Sequence, residues 1–419
     1  MPHKTLNNNF RASLLECHSA TQIRQKLYGA LPAFSDIFPA SKDAHILIKP
    51  NLNSNMNALT GNTTDLRLLE ALLSYLRDQG YRVITIGEGT SSGFHREKIN
   101  IFSRLCIDRV AKRFNAKLLD LNFAPYTHVE FEYGEKAAVA RICTEADFFI
   151  NLPKLKTHFE AGLSVCLKNM MGTLVGLPNK QKTHRSLFRN ILNLNKFVKP
   201  HLHIVDGLIA MEGTGPSSGT PVKAGLVLIG TDPYLLDLAC AKIAGFEYKE
   251  VPYLMLAKEQ GLIPQEYFNF VEAFVPKEAI KPFKRPQVNM LVRFVNNPKW
   301  QYRFIKIRLS PIMNKLFSLK SFGTLLNATG LRQDVFDTQD LCLQQMCLET
   351  ALCDNCKKCQ AYCPVGLTLP EQLQPLHEQC IGCLYCFLVC PKKAIKIKGD
   401  LGFFKEQLKR YDAITRAIT

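Results

Sequence analysis

Apolar and polar residues alternate along the first 250 positions in blocks that read as strands and helices in turn. His45–Lys49 (HILIK) is an apolar run stopped by Pro50 and reads as a strand. Leu66, Leu69, Leu72, Leu73 and Leu76 fall on one face of a helix that Thr64 can cap and Gly80 ends. Tyr81–Ile86 alternates as a further strand running into Gly87-Glu88-Gly89. The pattern then predicts a helix over Ile101–Phe114, short strands at Lys117–Leu121 and Val129–Tyr133, and a buried strand at Asp147–Asn151. Beyond these come a helix from Leu163 to Leu174, strands at His201–Val205 and Leu226–Ile229, and a helix over Asp232–Ala244 with Pro233 in its first turn. Nearer the start, Ala12–Leu27 reads as a helix. Strands alternating with helices of this length predict an α/β domain built on a largely parallel sheet with flanking helices.

Such sheets bind ligands beyond the carboxyl ends of their strands, and polar residues collect there. Lys49, Asn51 and Asn53 follow one predicted strand, Glu88 the next, and Asn151 to Lys156 another; Asp206 and Asp232 follow the last two. Ordinary strand-to-helix turn chemistry accounts for any one of them alone; five together predict one site. Residues 151–184 are the richest stretch, with Lys154, Lys156, His158, Lys168, Asn169 and His184. Cations converging in a dry interior repel one another unless a carboxylate or phosphate neutralises them. Lys154, Lys156, Lys168, His158 and His184 are therefore the candidate catalytic set. Lys49, Asn51, Asn53, Glu88, Asn151, Asn169, Asp206 and Asp232 are the candidate substrate-binding set. No dinucleotide fingerprint and no phosphate-loop lysine motif is present. Gly213-Thr-Gly215-Pro-Ser-Ser-Gly219 has neither spacing and reads as a loop over the site.

The cysteines tell a different story. Cys353-x-x-Cys356-x-x-Cys359-x-x-x-Cys363-Pro364 recurs 27 residues later as Cys380-x-x-Cys383-x-x-Cys386-x-x-x-Cys390-Pro391. This is the bacterial ferredoxin run, in which the fourth thiolate ligates the other cluster. By that rule Cys353, Cys356, Cys359 and Cys390 hold one [4Fe–4S] cluster, and Cys380, Cys383, Cys386 and Cys363 the second. Four-cysteine zinc sites need only two CxxC pairs each, and disulfides need no such spacing.

Composition adds three constraints. Hydrophobic residues make up 47% of 419, ordinary for globular domains, and no apolar run is long enough to span a bilayer. The first residues lack the apolar core of a secretory signal, and fifteen cysteines suit a reducing compartment, so the expected location is cytoplasmic. The formal charge of +17 is uneven: residues 277–320 carry eleven Lys/Arg against the single acid Glu278. Trp300, Phe304 and Ile307 can share a helical face there, so 293–320 suits contact with an anionic membrane surface or an acidic electron carrier. No nucleic-acid motif accompanies the charge, and nucleic acid is not an expected partner.

The string NLPKLKTH, followed by LKNMMG, DGLIAMEGTGPSSGTP and GTDPYLLD, resembles the family catalogued as domain of unknown function 362, whose members often carry a C-terminal ferredoxin domain. The resemblance covers roughly residues 44–250 and 345–395. It implies an association with redox chemistry through Lys154, Lys156, His158, Lys168, Asn169, Asp206 and Asp232. A more distant likeness to the nickel-pincer lactate racemase fold carries no signature that transfers that activity. The expected organisation is an α/β substrate or partner domain over 1–270, a basic, partly helical connector over 271–340, a small α+β ferredoxin-like domain over 341–400, and a terminal helix over 401–419. The expected function is an iron–sulfur reductase passing single electrons to an anionic small molecule, supplied by an external electron donor or acceptor protein. The alternative is an electron-transfer protein or maturation factor whose α/β domain only recognises a partner. The substrate and any further organic cofactor stay open.

Overall fold

A computed structural model describes residues 3–7, 10–90, 94, 98–287, 307, 338–373, 377–409 and 411–418. The strands in chain order are β1 (His3–Asn7), β2 (Phe10–Glu16), β3 (Ile46–Lys49), β4 (Ile84–Glu88), β5 (Lys117–Asp120), β6 (Tyr126–Glu130), β7 (Lys136–Ala140), β8 (Phe148–Asn151), β9 (Lys154–His158), β10 (Gly162–Ser164), β11 (Leu202–Glu212), β12 (Thr220–Val222), β13 (Leu226–Gly230), β14 (Cys342–Leu348) and β15 (Ile395–Asp400). The main sheet runs β1-β2-β13-β11-β8-β3-β4-β5. From β11 to β5 every pairing is parallel, whereas β13, β2 and β1 add antiparallel strands on the other side. The predicted α/β class with a mostly parallel sheet is what the chain adopts.

Two local expectations are corrected. Residues 12–16 belong to β2 and pair with β13, and the helix begins only at Ala20, where the Ser19 side chain accepts from Gln22 N. The run ASLLE reads equally as helix or strand, and sheet pairing decides it. The predicted helix Leu163–Leu174 is split into β10, a short helix Cys166–Asn169 and a 3-10 turn Met170–Thr173. The Asp237 carboxylate takes the N–H groups of Cys166 and Leu167 at 2.8 and 3.3 Å and starts that short helix within the run. Gly172 lies within the 3-10 turn, and no larger residue fits there: a Cβ would lie 2.2 Å from Glu88 Oε1 and 2.6 Å from Lys49 Nζ.

The helix Leu66–Asp78 packs its leucines against β3 and β4, with Asp65 rather than Thr64 as its cap. That apolar core continues without a break into Tyr362, Leu384, Tyr385 and Leu388 of the cysteine-rich region. A second core fills the space between β11, β13 and the helix Pro233–Ile243. The cysteine-rich region rests on the β14–β15 hairpin, with helices Phe404–Leu408 and Tyr411–Ile418 following. The expected basic connector lies mostly outside the described residues, as does its 293–320 stretch apart from the exposed Ile307. Among the described residues no helix is long and apolar enough to cross a membrane.

Candidate functional site

Parallel register brings the polar strand ends together. Lys49 at the end of β3 is level with Asn151 at the end of β8, and Glu88 ends β4 beside them. The Lys49 ammonium donates to both Glu88 carboxylate oxygens, at 2.9 and 3.1 Å, and to Asn169 Oδ1 at 3.3 Å. Asn169 takes a further bond from Asn51 Nδ2 at 2.8 Å and donates to Asn151 Oδ1 at 2.8 Å. Lys156 Nζ sits in a cage of three oxygens: Asn51 Oδ1 at 2.7 Å, Asn53 Oδ1 at 2.6 Å and Asn62 O at 2.8 Å. Six candidates from distant parts of the chain thus share one buried network with Lys156. Burying these groups without partners would be costly; the network satisfies them.

Lys154 and Asp206 form a second buried unit, joined at 3.0 Å with both side chains fully buried. The same Asp206 oxygen accepts the Asp65 backbone N–H at 2.7 Å, and Asp65 pairs with Arg67 at 2.7 Å. Burial pushes the Asp206 carboxyl up against the pull of Lys154. Burial would also raise Asp65, but the Arg67 guanidinium outweighs it and holds that carboxyl below the usual range. Asp232 serves elsewhere, accepting from Leu235 N at 2.7 Å and Tyr267 Oη at 2.9 Å.

Lys168 differs from the other lysines. Its nearest hydrogen-bond partner among the described residues is the thioether of Met171, at 3.8 Å. Burial lowers its pKa to about 8, with Glu160 acting in the opposite sense. His158 lies in the same group of charges. Burial lowers its pKa well below 6.5, and Lys168, His184 and Lys156 push the same way. Its Nδ1 accepts from the N–H groups of Glu160 and Ala161 at 3.1 and 3.2 Å, so the neutral ring carries its proton on Nε2. His184 Nδ1 is 3.5 Å from Glu160 Oε2. Glu160, Asp65, Arg67 and Asn62 carry no motif spacing in the sequence, because the groups that give them a role, His184, Asp206, Tyr362 and Lys156, lie far along the chain.

The glycine-rich loop does fold over this region. Ser217 lies against the amides of Asn53 and Asn62, at 3.4 Å through its hydroxyl and 3.3 Å through its carbonyl. Gly215 is needed for that approach, since a Cβ there would sit 1.9 Å from Thr157 O.

In the cysteine-rich region the 27-residue repeat is written into the backbone. Asn355, Lys357 and Gly366 have positive φ, and so do their repeat mates Gly382, Leu384 and Lys393. Short helices Lys358–Ala361 and Tyr385–Leu388 occupy matching positions. Cys363 Sγ accepts from Leu367 N at 3.4 Å and Cys390 Sγ from Ala394 N at 3.3 Å. Cys353, Cys356, Cys359 and Cys390 line one cavity of ≈ 350 Å³, counting space open to solvent. Cys363, Cys380, Cys383 and Cys386 line a second of ≈ 420 Å³. The last cysteine of each run therefore sits with the other run's first three. All eight thiols are free, four face each cavity, and backbone N–H groups point at sulfurs, so the donor set fits iron–sulfur clusters. The first quartet reaches the surface through Cys356, while the second lies beneath Leu384 and Tyr385 against the α/β domain.

Two parts of the chain match known families. Residues 46–242 match the family described as Domain of unknown function (DUF362), and residues 376–396 match the 4Fe-4S binding domain, over the second cysteine run. Thylakoid-associated protein sll1697 from Synechocystis sp. is 29% identical over 185 residues, 40% of this chain. The match spans 57% of that protein's own length. Lactate racemase apoprotein from Thermoanaerobacterium thermosaccharolyticum aligns over 55% of this chain and 56% of its own, at 14% identity and a TM-score of 0.39, too slight to bear on mechanism. Residues 46–242 are thus similar to the DUF362 family, and a 4Fe-4S binding domain lies over residues 376–396.

Proposed function

We propose that this protein is an iron–sulfur oxidoreductase with two [4Fe–4S] clusters, serving an anionic small molecule held by the α/β domain. The observation that carries it is the crossed segregation of the eight cysteines into two separate quartets, the second packed against the domain that holds the lysine-rich strand ends. When bound, the clusters supply single-electron transfer. The chain's own residues supply the rest. The inner quartet is screened by Met346, Leu367, Leu369 and Leu373. The outer quartet is bordered by Lys357, Lys358 and Lys392, where an external carrier protein would exchange electrons. The quartet test is direct: protein purified anaerobically is expected to contain about eight irons and eight sulfides per chain. A value near four of each would leave one cluster and sink the two-cluster reading.

Within the α/β domain, Lys168 is the cation suited to an anion, because Lys49, Lys154 and Lys156 already have oxygen partners. His158 would add a neutral Nε2–H donor rather than a proton, since burial, helped by its cationic neighbours, keeps it uncharged. His184, with Glu160 beside it, would be the group able to pass a proton. The sign with pH follows from Lys168. Its ammonium is present below about 8 and is lost above it. Sulfate, whose own charge does not change in this range, is the probe. Its affinity for the full chain, followed by calorimetry, is expected to hold below pH 8 and then fall by about tenfold per unit. Lys168→Ala should remove both the affinity and that slope while cluster content stays at the parental level. Unchanged binding in that variant would put the anion site elsewhere.

A further inference from the structure

The buried Asp65–Arg67 pair takes part neither in capturing an anion nor in ligating a cluster, yet it lies between the two regions. Arg67 is 2% exposed and Asp65 is fully buried. The guanidinium donates to both Asp65 oxygens, at 3.0 and 2.7 Å, and its carbon stands 4.1 Å from the centroid of the Tyr362 ring. Tyr362 immediately precedes Cys363. One residue earlier in the same helix, Leu66 N donates to Tyr385 Oη at 3.3 Å, and Tyr385 lies between Cys383 and Cys386. On the other side, Asp65 N donates to Asp206 Oδ2, the oxygen that also pairs with Lys154. Four buried charges thus run in order from Lys154 to Asp206, Asp65 and Arg67, and the last of them lies over the ring of Tyr362, next in the chain to Cys363 of the inner quartet.

We propose that Arg67 is the positioning residue through which the α/β domain sets the reduction potential of the cluster held by Cys363, Cys380, Cys383 and Cys386. The Lys154–Asp206 pair acts on that cluster through the same array. Reduction adds one negative charge to a cluster, and a buried cation favours the more negative form because little solvent screens it. Removing Arg67 therefore lowers the midpoint, and removing the negative charge of Asp206 raises it. The outer quartet, with Cys356 at the surface, is screened by water and stays where it is. A residue that only held the two regions together would not move one midpoint in opposite directions when opposite charges are removed. The proposal rests on the two-cluster reading.

The test is a potentiometric titration of the full chain under anaerobic conditions, followed by EPR. The inner cluster is the signal that Cys383→Ser abolishes. In Arg67→Gln the reduced-to-oxidised ratio of that signal at fixed potential is expected to fall at least tenfold, a 59 mV shift for one electron. Asp206→Asn is expected to move it the other way, and Arg67→Lys to stay close to the parent. The outer signal is unmoved in all three. Shifts of the same sign in Arg67→Gln and Asp206→Asn, or no shift in either, overturn the proposal. If Arg67→Gln does not fold, Asp206→Asn decides the matter: no rise in the inner midpoint overturns it. About four irons in the parent overturns the two-cluster reading instead; about eight with unmoved midpoints overturns only the role of Arg67.

Discussion

Cys363→Ala and Cys383→Ala are expected to leave the same residual cluster, and Cys390→Ala and Cys356→Ala to leave the other. Chain proximity argues the opposite grouping, because Cys363 is four residues from Cys359 and seventeen from Cys380. The fold separates those neighbours. The short helix Lys358–Ala361 carries the chain from the outer cavity to the inner one, and Cys363 arrives there 6% exposed beside Cys380, Cys383 and Cys386. The duplicated helix Tyr385–Leu388 makes the reverse passage and delivers Cys390 to the outer cavity. Each variant should fall from about eight irons to about four, since a cluster lacking one of four thiolates is not retained. EPR spectra of the four proteins then sort into two pairs. Pairing of Cys363→Ala with Cys356→Ala would show that each run closes on its own cluster and would refute the crossed arrangement.

The grouping of the thiols around two cavities was legible in the sequence because it follows from local spacing, repeated once. The α/β class was legible for a similar reason: apolar runs such as HILIK and DFFIN are bounded by prolines, glycines and asparagines that the turns require. So was the gathering of Lys49, Glu88 and Asn151, which a parallel sheet places at one end whatever the loops do. What the pattern could not carry is which buried charge answers which. The anion expected among the lysines is supplied for Lys49 and Lys154 by Glu88 and Asp206, both already in the candidate set but 39 and 52 residues away. Asp65 and Asp206, linked across 141 residues, look like a helix cap and a strand-end turn until the tertiary structure brings them together. The same tertiary reach explains the broken helix at 163–174, where Asp237 from a distant helix takes the N–H groups of Cys166 and Leu167.

That reassignment of the lysines changes what Lys154→Ala should do. Lys154 and Asp206 are both fully shielded from water, so truncating one leaves the other in the interior without its counter-charge. Breaking a buried pair in this way costs about 3–5 kcal/mol, whereas replacing both partners by uncharged groups of similar shape is much nearer neutral. Lys154→Ala is therefore expected to lower the urea unfolding midpoint steeply, and Lys154→Met combined with Asp206→Asn to recover a large part of the loss. The Asp65 carboxylate makes the single variant worse, because it repels Asp206 and loses the Lys154 charge as well, and the Asp65 N–H donated to Asp206 offsets only part of this. Lys168→Ala, which removes an ammonium that donates only to a thioether among the described residues, should leave the midpoint near that of the parent. The two lysines thus separate by measurement: one acts first on stability, the other first on anion affinity. A Lys154→Ala protein as stable as the parent would mean that water or another group reaches Asp206, and the buried-pair account of Lys154 would fall.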